Sequence, residues 1–253
     1  MKRFALLIDG HAHLNELPDI LQDLETARER GVAAVIGVGM DVASNRRILE
    51  IARAHPGFVF PAVGYHPWEI RRDNMDDTLA FVEAHLAECV ALGEVGLDYK
   101  AKVNKNLQRE VLHEIITLAV TYDKVLILHC RYSHQRVFDM IAKGGVKQAV
   151  FHWYTGSPDL LVRIIEAGYH ISATPALVYS PPHREAVRAA PLERILLETD
   201  CPVAYRGRES RPVDVLITAQ EVARLKGMTW HEVARITTEN ATTLYSLPLT
   251  FRV

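Results

Sequence analysis

Two histidines, His11 and His13, follow an apolar run near the start of the chain and are separated by one residue. In an extended strand, side chains two positions apart lie on the same face, about 6.5–7 Å from each other, so both imidazoles could bind one cation. Four further apolar runs also end in candidate ligands, which are Glu94, His129, His152 and Asp200. Ligands so far apart in sequence meet only where strands end at one face of a closed parallel barrel, and this pattern predicts a metal-dependent hydrolase.

The types of these side chains suggest a division of roles within such a site. Glu94 has two carboxylate oxygens and could bridge two cations, with His129 and His152 completing the second site. Asp200 could bind the first cation and, as general base, accept a proton from a metal-bound water, which is the predicted nucleophile. Taken singly, each histidine is more typical of a hydrogen-bonded core position than of a metal ligand, and Glu94 could be a carboxylate paired with a basic neighbour. The combination favours the dinuclear site.

The sequence also predicts which way the residues next to these ligands point and what they could contact. Asp9 and Glu198 share the strand parity of neighbouring ligands, so they could orient those ligands or simply be polar residues of the barrel interior. Cys130 and Cys201 have the opposite parity and are predicted to pack away from the centre. Aromatic residues near strand ends could stack on a base or cover the barrel rim, and they are Trp68, Trp153 and Tyr154.

The elements that must position these residues are apolar runs rich in β-branched side chains, separated by segments with helical periodicity. The runs span residues 4–9, 32–39, 58–64, 89–95, 124–129, 147–152, 169–174 and 194–199. Their alternation with helical segments predicts βα units and a parallel sheet. One predicted helix carries apolar residues at Leu17, Ile20, Leu21, Leu24 and Ala27. Eight such repeats predict an α/β fold, a (β/α)8 TIM barrel that forms a single domain over residues 1–253, rather than an open doubly wound sheet.

Composition and charge exclude several other classes of protein. The chain of 253 residues is 49% hydrophobic and has a formal net charge of −2, which argues against a broad basic face for duplex nucleic acid. Basic residues do cluster between Arg206 and Arg211, where a phosphate contact and a solvated loop are equally good explanations. No Walker-type or Gly-x-Ser-x-Gly motif occurs. The first apolar run is too short for a secretion signal or a membrane span, so a cytoplasmic protein without membrane attachment is expected.

Several short motifs follow one another along nearly the whole chain. They are Ile8-Asp9-Gly10-His11-Ala12-His13-Leu14, Gly64-Tyr65-His66-Pro67, Gly93-Glu94-Val95-Gly96-Leu97-Asp98-Tyr99, His129-Cys130-Arg131, His152-Trp153-Tyr154-Thr155-Gly156 and Leu197-Glu198-Thr199-Asp200-Cys201-Pro202. In type and order they resemble the TatD family of metal-dependent deoxyribonucleases, which belongs to the amidohydrolase-like TIM barrels.

The resemblance implies two divalent metal ions per chain, with Mg, Zn or Mn as candidates. One ion would be surrounded by His11, His13, Glu94 and Asp200, and the other would be held by Glu94, His129 and His152. Asp200 and Glu94 are then the catalytic residues. His66 looks like the family's contact to the substrate phosphate, and the other predicted substrate contacts are Arg131, Arg206 and Arg208. Family members are described as magnesium-dependent, yet four histidines favour softer cations such as zinc or manganese.

The implied activity is 3′ to 5′ exonuclease action on single-stranded DNA, with DNA 3′ ends or a small phosphoester as substrate. Departures from the family pattern lie beside the site, at Cys130-Arg131-Tyr132-Ser133, His152-Trp153-Tyr154-Thr155-Gly156 and the short segment after Asp200. Two alternatives therefore stay open. One is a metal-dependent ester or amide hydrolase, such as a D-aminoacyl-tRNA deacylase, and the other is a non-catalytic metal-binding barrel. The oligomeric state is not predicted.

Overall fold

Strands of this protein pair in parallel in their order along the chain, and their sheet curls into a nearly closed barrel. The computed structural model describes residues 6–249, and its strands are β1 (Leu7–Ala12), β2 (Val32–Val38), β3 (Val59–Val63), β4 (Ala91–Asp98), β5 (Val125–Arg131), β6 (Ala149–Phe151), β7 (His170–Ala173) and β8 (Ile195–Leu197). Parallel neighbours need crossover connections, and helices supply them here. The fold is the predicted (β/α)8 TIM barrel.

The helices number nine within residues 6–249, and a capping side chain satisfies free backbone amides at the start of five. The nine helices are α1 (Ile20–Glu29), α2 (Val42–Ala54), α3 (Met75–His85), α4 (Lys105–Thr121), α5 (His134–Gly144), α6 (Pro158–Glu166), α7 (Pro181–Ala189), α8 (Val215–Lys226) and α9 (Trp230–Leu244). Asp41 accepts from the Ser44 amide before α2, and Ser157 accepts from the Leu160 amide before α6. These caps fix the points at which α2 and α6 begin after the strands that precede them. Those points lie at the end of the barrel that carries the site.

Strand boundaries lie within two residues of the predicted runs except at β1 and β4. β1 extends to Ala12, beyond its predicted end, and residues 4 and 5 of the predicted run lie outside the described residues. β4 continues to Asp98 because it pairs with β5 as far as Arg131. Glu94 therefore lies inside β4 rather than at its end, beside a register irregularity between Leu92 and Val95.

Two further details differ from the sequence prediction. In α1, Leu24 and Ala27 are buried as expected, but Leu21 is 65% exposed, because the helix begins only at Ile20 and turns that position toward solvent. After β8 the chain forms a small antiparallel hairpin, β9 (Ala204–Tyr205) and β10 (Arg208–Glu209), which the sequence did not predict. Two-residue strands carry too little periodicity to be recognised.

Buried apolar residues form two layers, one on each face of the sheet. The outer layer lies between strands and helices, while the inner layer includes Ile36, Ala62 and Ile127 together with Leu244 and Tyr245 from the end of the chain. Alternation of side chains along each strand produces this division. The metal-ligand candidates continue the inner face beyond its apolar layer.

The helix α9 closes the amino-terminal end of the barrel. Thr238 donates a hydrogen bond to the Leu6 carbonyl, and Asn240 donates to the carbonyls of Leu192 and Ile195, next to the starts of β1 and β8. With that end filled, the opposite end is where a ligand can approach the barrel axis. No helix within residues 6–249 is both long and apolar enough to cross a membrane.

Candidate metal centre

Four donor atoms from β1, β4 and the segment after β8 form a compact group toward the carboxyl-terminal end of the barrel. The Nε2 atoms of His11 and His13 are 3.2 Å apart. Each lies 3.3–3.4 Å from Glu94 Oε2 and 3.5 Å from Asp200 Oδ1. The sequence places these residues up to 189 positions apart, and the barrel brings all of them together as predicted.

The spacing within this group fits a tetrahedral cation. Ligands about 2.0–2.1 Å from a common zinc ion would be about 3.3 Å from one another, and the measured separations are 3.2–3.5 Å. All four side chains are buried, and none of them is lysine or arginine. The group therefore contains two carboxylates and no lysine or arginine to balance them, and a bound cation would supply the positive charge.

The other oxygen of Glu94 faces a second group of imidazoles. Oε1 lies 2.8 Å from His129 Nδ1, 3.5 Å from His66 Nε2 and 3.5 Å from His152 Nε2. His129 and His152 are the predicted ligands at this position. His66, predicted as a phosphate contact, is also within the ligand group that Glu94 and His129 form.

Glycines allow Glu94 to reach both groups. A Cβ atom at Gly96 would collide with the His129 carbonyl, and one at Gly93 would lie 2.5 Å from the Ile127 Cβ. Gly96 also has φ +149°, in the region that side chains disfavour. Close contact between β4 and β5 is what brings Glu94 next to His129.

Two non-glycine residues at the site have left-handed backbone conformations. Asp200 has φ +52° and Trp153 has φ +43°. The Asp200 amide donates to the His11 carbonyl at 3.0 Å, and the Trp153 amide donates to Ser172 Oγ at 2.8 Å. Such conformations are costly, so the fixed hydrogen bonds around them hold the site in one arrangement.

Two further carboxylates contact the imidazoles, and one of them, Glu198, also forms a possible ligand group with His11 and His152. Glu198 Oε1 lies 2.8 Å from His152 Nδ1, and Asp98 Oδ2 lies 3.3 Å from His129 Nε2. Glu198 thus has the orienting position expected for it. Asp9 differs, because its carboxylate accepts from the amide and hydroxyl of Thr199 and contacts no imidazole ring. Asp98 was not predicted, although it stands at a strand end like the other acids.

Known sequences and structures resemble this chain along nearly its whole length. The TatD related DNase family profile matches residues 8–246. The chain belongs to the TatD family. The uncharacterized metal-dependent hydrolase YabD of Bacillus subtilis is 31% identical, across 96% of this chain and all of the relative, and deoxyribonuclease TATDN3 of Homo sapiens is 29% identical across 94% of each chain. The crystal structure of the TatD homologue YjjV of Escherichia coli superposes with a TM-score of 0.88 at 26% identity, covering 96% of this chain and 98% of that one.

Family membership makes this protein a metal-dependent hydrolase, and the charges of its site explain how it can take up cations. Burial would raise the pKa of Glu94, but the imidazoles of His66, His152 and His11 hold that pKa well below its usual range. Burial would lower the pKa of His152, yet Glu198, Asp200 and Glu94 raise it to about 10. Before a cation binds, therefore, Glu94 is an anion and His152 carries an extra proton. A cation that binds to the imidazole nitrogen would displace that proton.

The ligand groups line a cavity of about 630 Å³ that opens at the end of the barrel. Two of the predicted substrate contacts, His66 and Arg131, lie in its wall. Trp68 and Trp153 also line it, while Tyr154 is fully buried beneath. Cys130 also borders the cavity, but it packs against the outer apolar layer, and the fully buried Cys201 belongs to the same layer.

The other predicted substrate contacts, Arg206 and Arg208, lie on or beside the β9–β10 hairpin and outside the cavity wall. Arg206 donates to the Val178 carbonyl, and Arg208 forms a 2.7 Å ion pair with Asp214. Both guanidinium groups are already hydrogen-bonded within the protein. Their predicted role at the substrate has no support in this geometry.

Proposed function

We propose that this protein is a deoxyribonuclease that removes nucleotides from the 3′ end of single-stranded DNA, using two divalent cations held by the barrel-end ligands. Family membership and the naming of the TATDN3 relative as a deoxyribonuclease support DNA as the substrate. The ligand geometry supports the number of cations. The single observation that carries the proposal is the position of Glu94.

Glu94 has one oxygen in each ligand group. Oε2 is 3.4 Å from His11 Nε2, whereas Oε1 is 2.8 Å from His129 Nδ1. A carboxylate in this position can share its charge between two cations.

Cations bound here would lower the pKa of water and stabilise charge on the attacking and leaving oxygens of a phosphodiester. The chain's own residues do the rest. Burial would raise the pKa of Asp200, but His152, His13 and His11 lower it, so its carboxylate is ionised and can accept a proton from the attacking water. His66 and Arg131 face the cavity where the phosphate would lie.

The choice of cation follows from the donor types. Imidazole nitrogens outnumber carboxylate oxygens around Glu94, and such sites suit zinc or manganese better than magnesium, which prefers oxygen. We therefore expect manganese or zinc to bind more tightly than magnesium and to support more activity at equal, subsaturating cation concentrations.

The test is nucleotide release from a 5′-labelled single-stranded oligodeoxynucleotide by the purified protein loaded with magnesium, manganese or zinc. Asp200→Asn should reduce turnover by about two to four orders of magnitude, because the general base is lost while the shape of the side chain is kept. The matched control is Asp77→Asn, an exposed position in the first turn of α3, which should retain full activity.

Two outcomes would contradict the proposal. One is an absence of metal-stimulated nucleotide release, with hydrolysis of a D-aminoacyl-tRNA or another carboxylic ester instead. The second is full turnover by Asp200→Asn, which would remove Asp200 as the base. A ladder of products that shortens from the 3′ end distinguishes exonuclease action from internal cleavage.

A further inference from the structure

A second depression, about 460 Å³ in volume, adjoins the metal cavity and is lined by an unusual share of cationic side chains. Trp68 and Arg131 belong to the walls of both. Lys100 and Lys102, from the loop after β4, complete its basic lining. We call this depression the lysine groove. A polymer whose end lies in the metal cavity can therefore continue directly into it.

The cations of the lysine groove are available to a ligand. Lys100, Lys102 and Arg131 are all exposed, and within residues 6–249 their side chains form no ion pair or hydrogen bond. Arg206, Arg208 and Arg211, the basic cluster that the sequence singles out, are by contrast engaged with the Val178 carbonyl, Asp214 and Glu209. Free positive charge therefore lies on the β4 side of the metal cavity, away from the hairpin.

The one carboxylate in the groove, Asp98, does not neutralise these lysines through contact. Its Oδ1 accepts the amides of Lys100 and Ala101 at 2.8 and 3.0 Å. Its Oδ2 accepts the indole N–H of Trp68 at 2.6 Å and lies 3.3 Å from His129 Nε2. Asp98 is 1% exposed, so its charge is satisfied inside the protein.

These hydrogen bonds also fix the shape of the groove before anything binds. Gln108 of α4 donates to the carbonyls of Asp98 and Val103 and accepts from the Asp98 amide, which holds both ends of the lysine loop. A preformed loop pays less conformational entropy when it binds a ligand. The lysine positions are thus set relative to the metal ligand His129.

Trp68 stands where the two depressions meet. Its indole is 50% exposed although its N–H is bonded to Asp98, so one edge is fixed and the ring remains accessible. An exposed aromatic ring beside cationic side chains is the combination that binds single-stranded nucleic acid, since bases stack on the ring while phosphates meet the cations.

From this arrangement we infer that the lysine groove binds the strand upstream of the scissile phosphate, with a base stacked on Trp68 and phosphates at Arg131, Lys100 and Lys102. The inference rests on the proposed nuclease function and deepens it, because it assigns the residues that would hold the strand beyond the metal cavity. A duplex does not suit this arrangement, since a base inside a duplex is stacked on both faces and offers neither to the indole.

The test compares two charge-matched double variants. Lys100→Gln with Lys102→Gln removes the groove lysines, and Lys143→Gln with Lys147→Gln removes two exposed lysines near the opposite end of the barrel. We expect the groove variant to lose roughly tenfold in kcat/KM on a single-stranded 20-mer and to show a salt dependence of log KM shallower by about 1.4, because two phosphate contacts are gone. Hydrolysis of bis(p-nitrophenyl) phosphate, which cannot reach the groove, should be unchanged, and the control variant should match the parent protein on both substrates.

Trp68 provides an independent arm of the same test. Trp68→Ala should raise KM for the 20-mer by roughly tenfold, and Trp68→Phe should restore most of the affinity because stacking needs a ring and not the indole N–H. Equal losses in Trp68→Ala and Trp68→Phe would indicate that only the bond to Asp98 matters and would overturn the stacking role.

The groove proposal fails if the lysine double variant keeps the parent's KM and salt dependence on the 20-mer, or loses equally on the small diester. It fails also if a blunt duplex is degraded as fast as the single strand. If the parent protein releases no nucleotides but hydrolyses the small diester, the nuclease function itself is wrong, and this outcome is distinct from failure of the groove alone.

Discussion

Glu198 controls the orientation of a metal-ligand candidate without belonging to the central group. Its Oε1 is 2.8 Å from His152 Nδ1 and also accepts from the Trp153 amide at 3.2 Å. A carboxylate at Nδ1 holds the proton there and leaves Nε2, which faces Glu94, free to bind a cation. The same contact fixes Trp153 at the cavity wall.

Glu198→Gln should therefore weaken cation binding by about 10- to 100-fold while the fold is retained, because the amide keeps the size of the side chain but loses its charge. The measurement is titration with zinc or manganese in competition with a chromophoric chelator. Glu193→Gln, at an exposed position before β8, is the control and should bind as the parent does. Unchanged affinity in Glu198→Gln would show that His152 needs no carboxylate behind it.

At the scale of elements, α7 contributes a histidine that ties two loops together beneath the cavity. His183 is fully buried, its Nδ1 lies 2.9 Å from the Tyr154 carbonyl, and its Nε2 accepts from the Thr174 amide at 3.1 Å. One nitrogen donates and the other accepts, so the ring must be neutral. Burial accordingly lowers the pKa of His183 to about 4.

This neutral histidine makes stability depend on pH. Between about pH 6.5 and pH 4 the unfolded chain binds a proton at residue 183 that the folded protein does not, so stability falls as pH falls through that window. We expect this group to cost about 2 kcal/mol by pH 5. His183→Gln should be less stable at pH 7 but lose about that much less between pH 7 and pH 5, as measured by urea unfolding. An equal loss in both proteins would mean that the imidazole is protonated without cost.

The sequence predicts the elements well because each strand carries its own signal. Runs of apolar, β-branched residues mark every strand of the barrel, and at β1, β4, β5, β6 and β8 a histidine or carboxylate in or after the run marks the ligand candidate. Glu94 is misplaced at a strand end because the length of β4 depends on its pairing with β5, which no local pattern reports. The sequence did not predict the lysine groove for a similar reason. Lys100 and Lys102 form a binding surface only because the fold places them next to Trp68 and Arg131, and no local pattern reports that proximity.

At the scale of the whole molecule, the first ligand group lies across the seam of the barrel. β1 and β8 are the outermost strands in the order of pairing, and the chain closes between them through the His13 amide, which donates to the Cys201 carbonyl, and the Asp200 amide, which donates to the His11 carbonyl. The side chains of Asp9 and Thr199 add a further hydrogen bond there. His11 and His13 come from one side of this seam and Asp200 from the other.

A cation bound at the seam would join the first and last strands, so metal binding should stabilise the entire barrel. At a free cation concentration 100 times the dissociation constant, one site adds about 2.7 kcal/mol to the free energy of unfolding. In a chain of this size that corresponds to a rise in Tm of roughly 5–10 °C. Differential scanning fluorimetry of the chelated protein, with and without zinc or manganese, measures the rise.

Glu94→Gln distinguishes this stabilisation from weak binding elsewhere on the surface. Because each oxygen of Glu94 faces one ligand group, the variant should bind neither cation tightly, and its Tm should respond little to added metal. Glu69→Gln, outside the ligand groups, should keep the full rise. The Glu94→Gln protein could instead retain two equivalents of metal and the complete increase in Tm. That result would mean that the two ligand groups do not share this carboxylate and that Glu94 has no part in joining β1 to β8 through a cation.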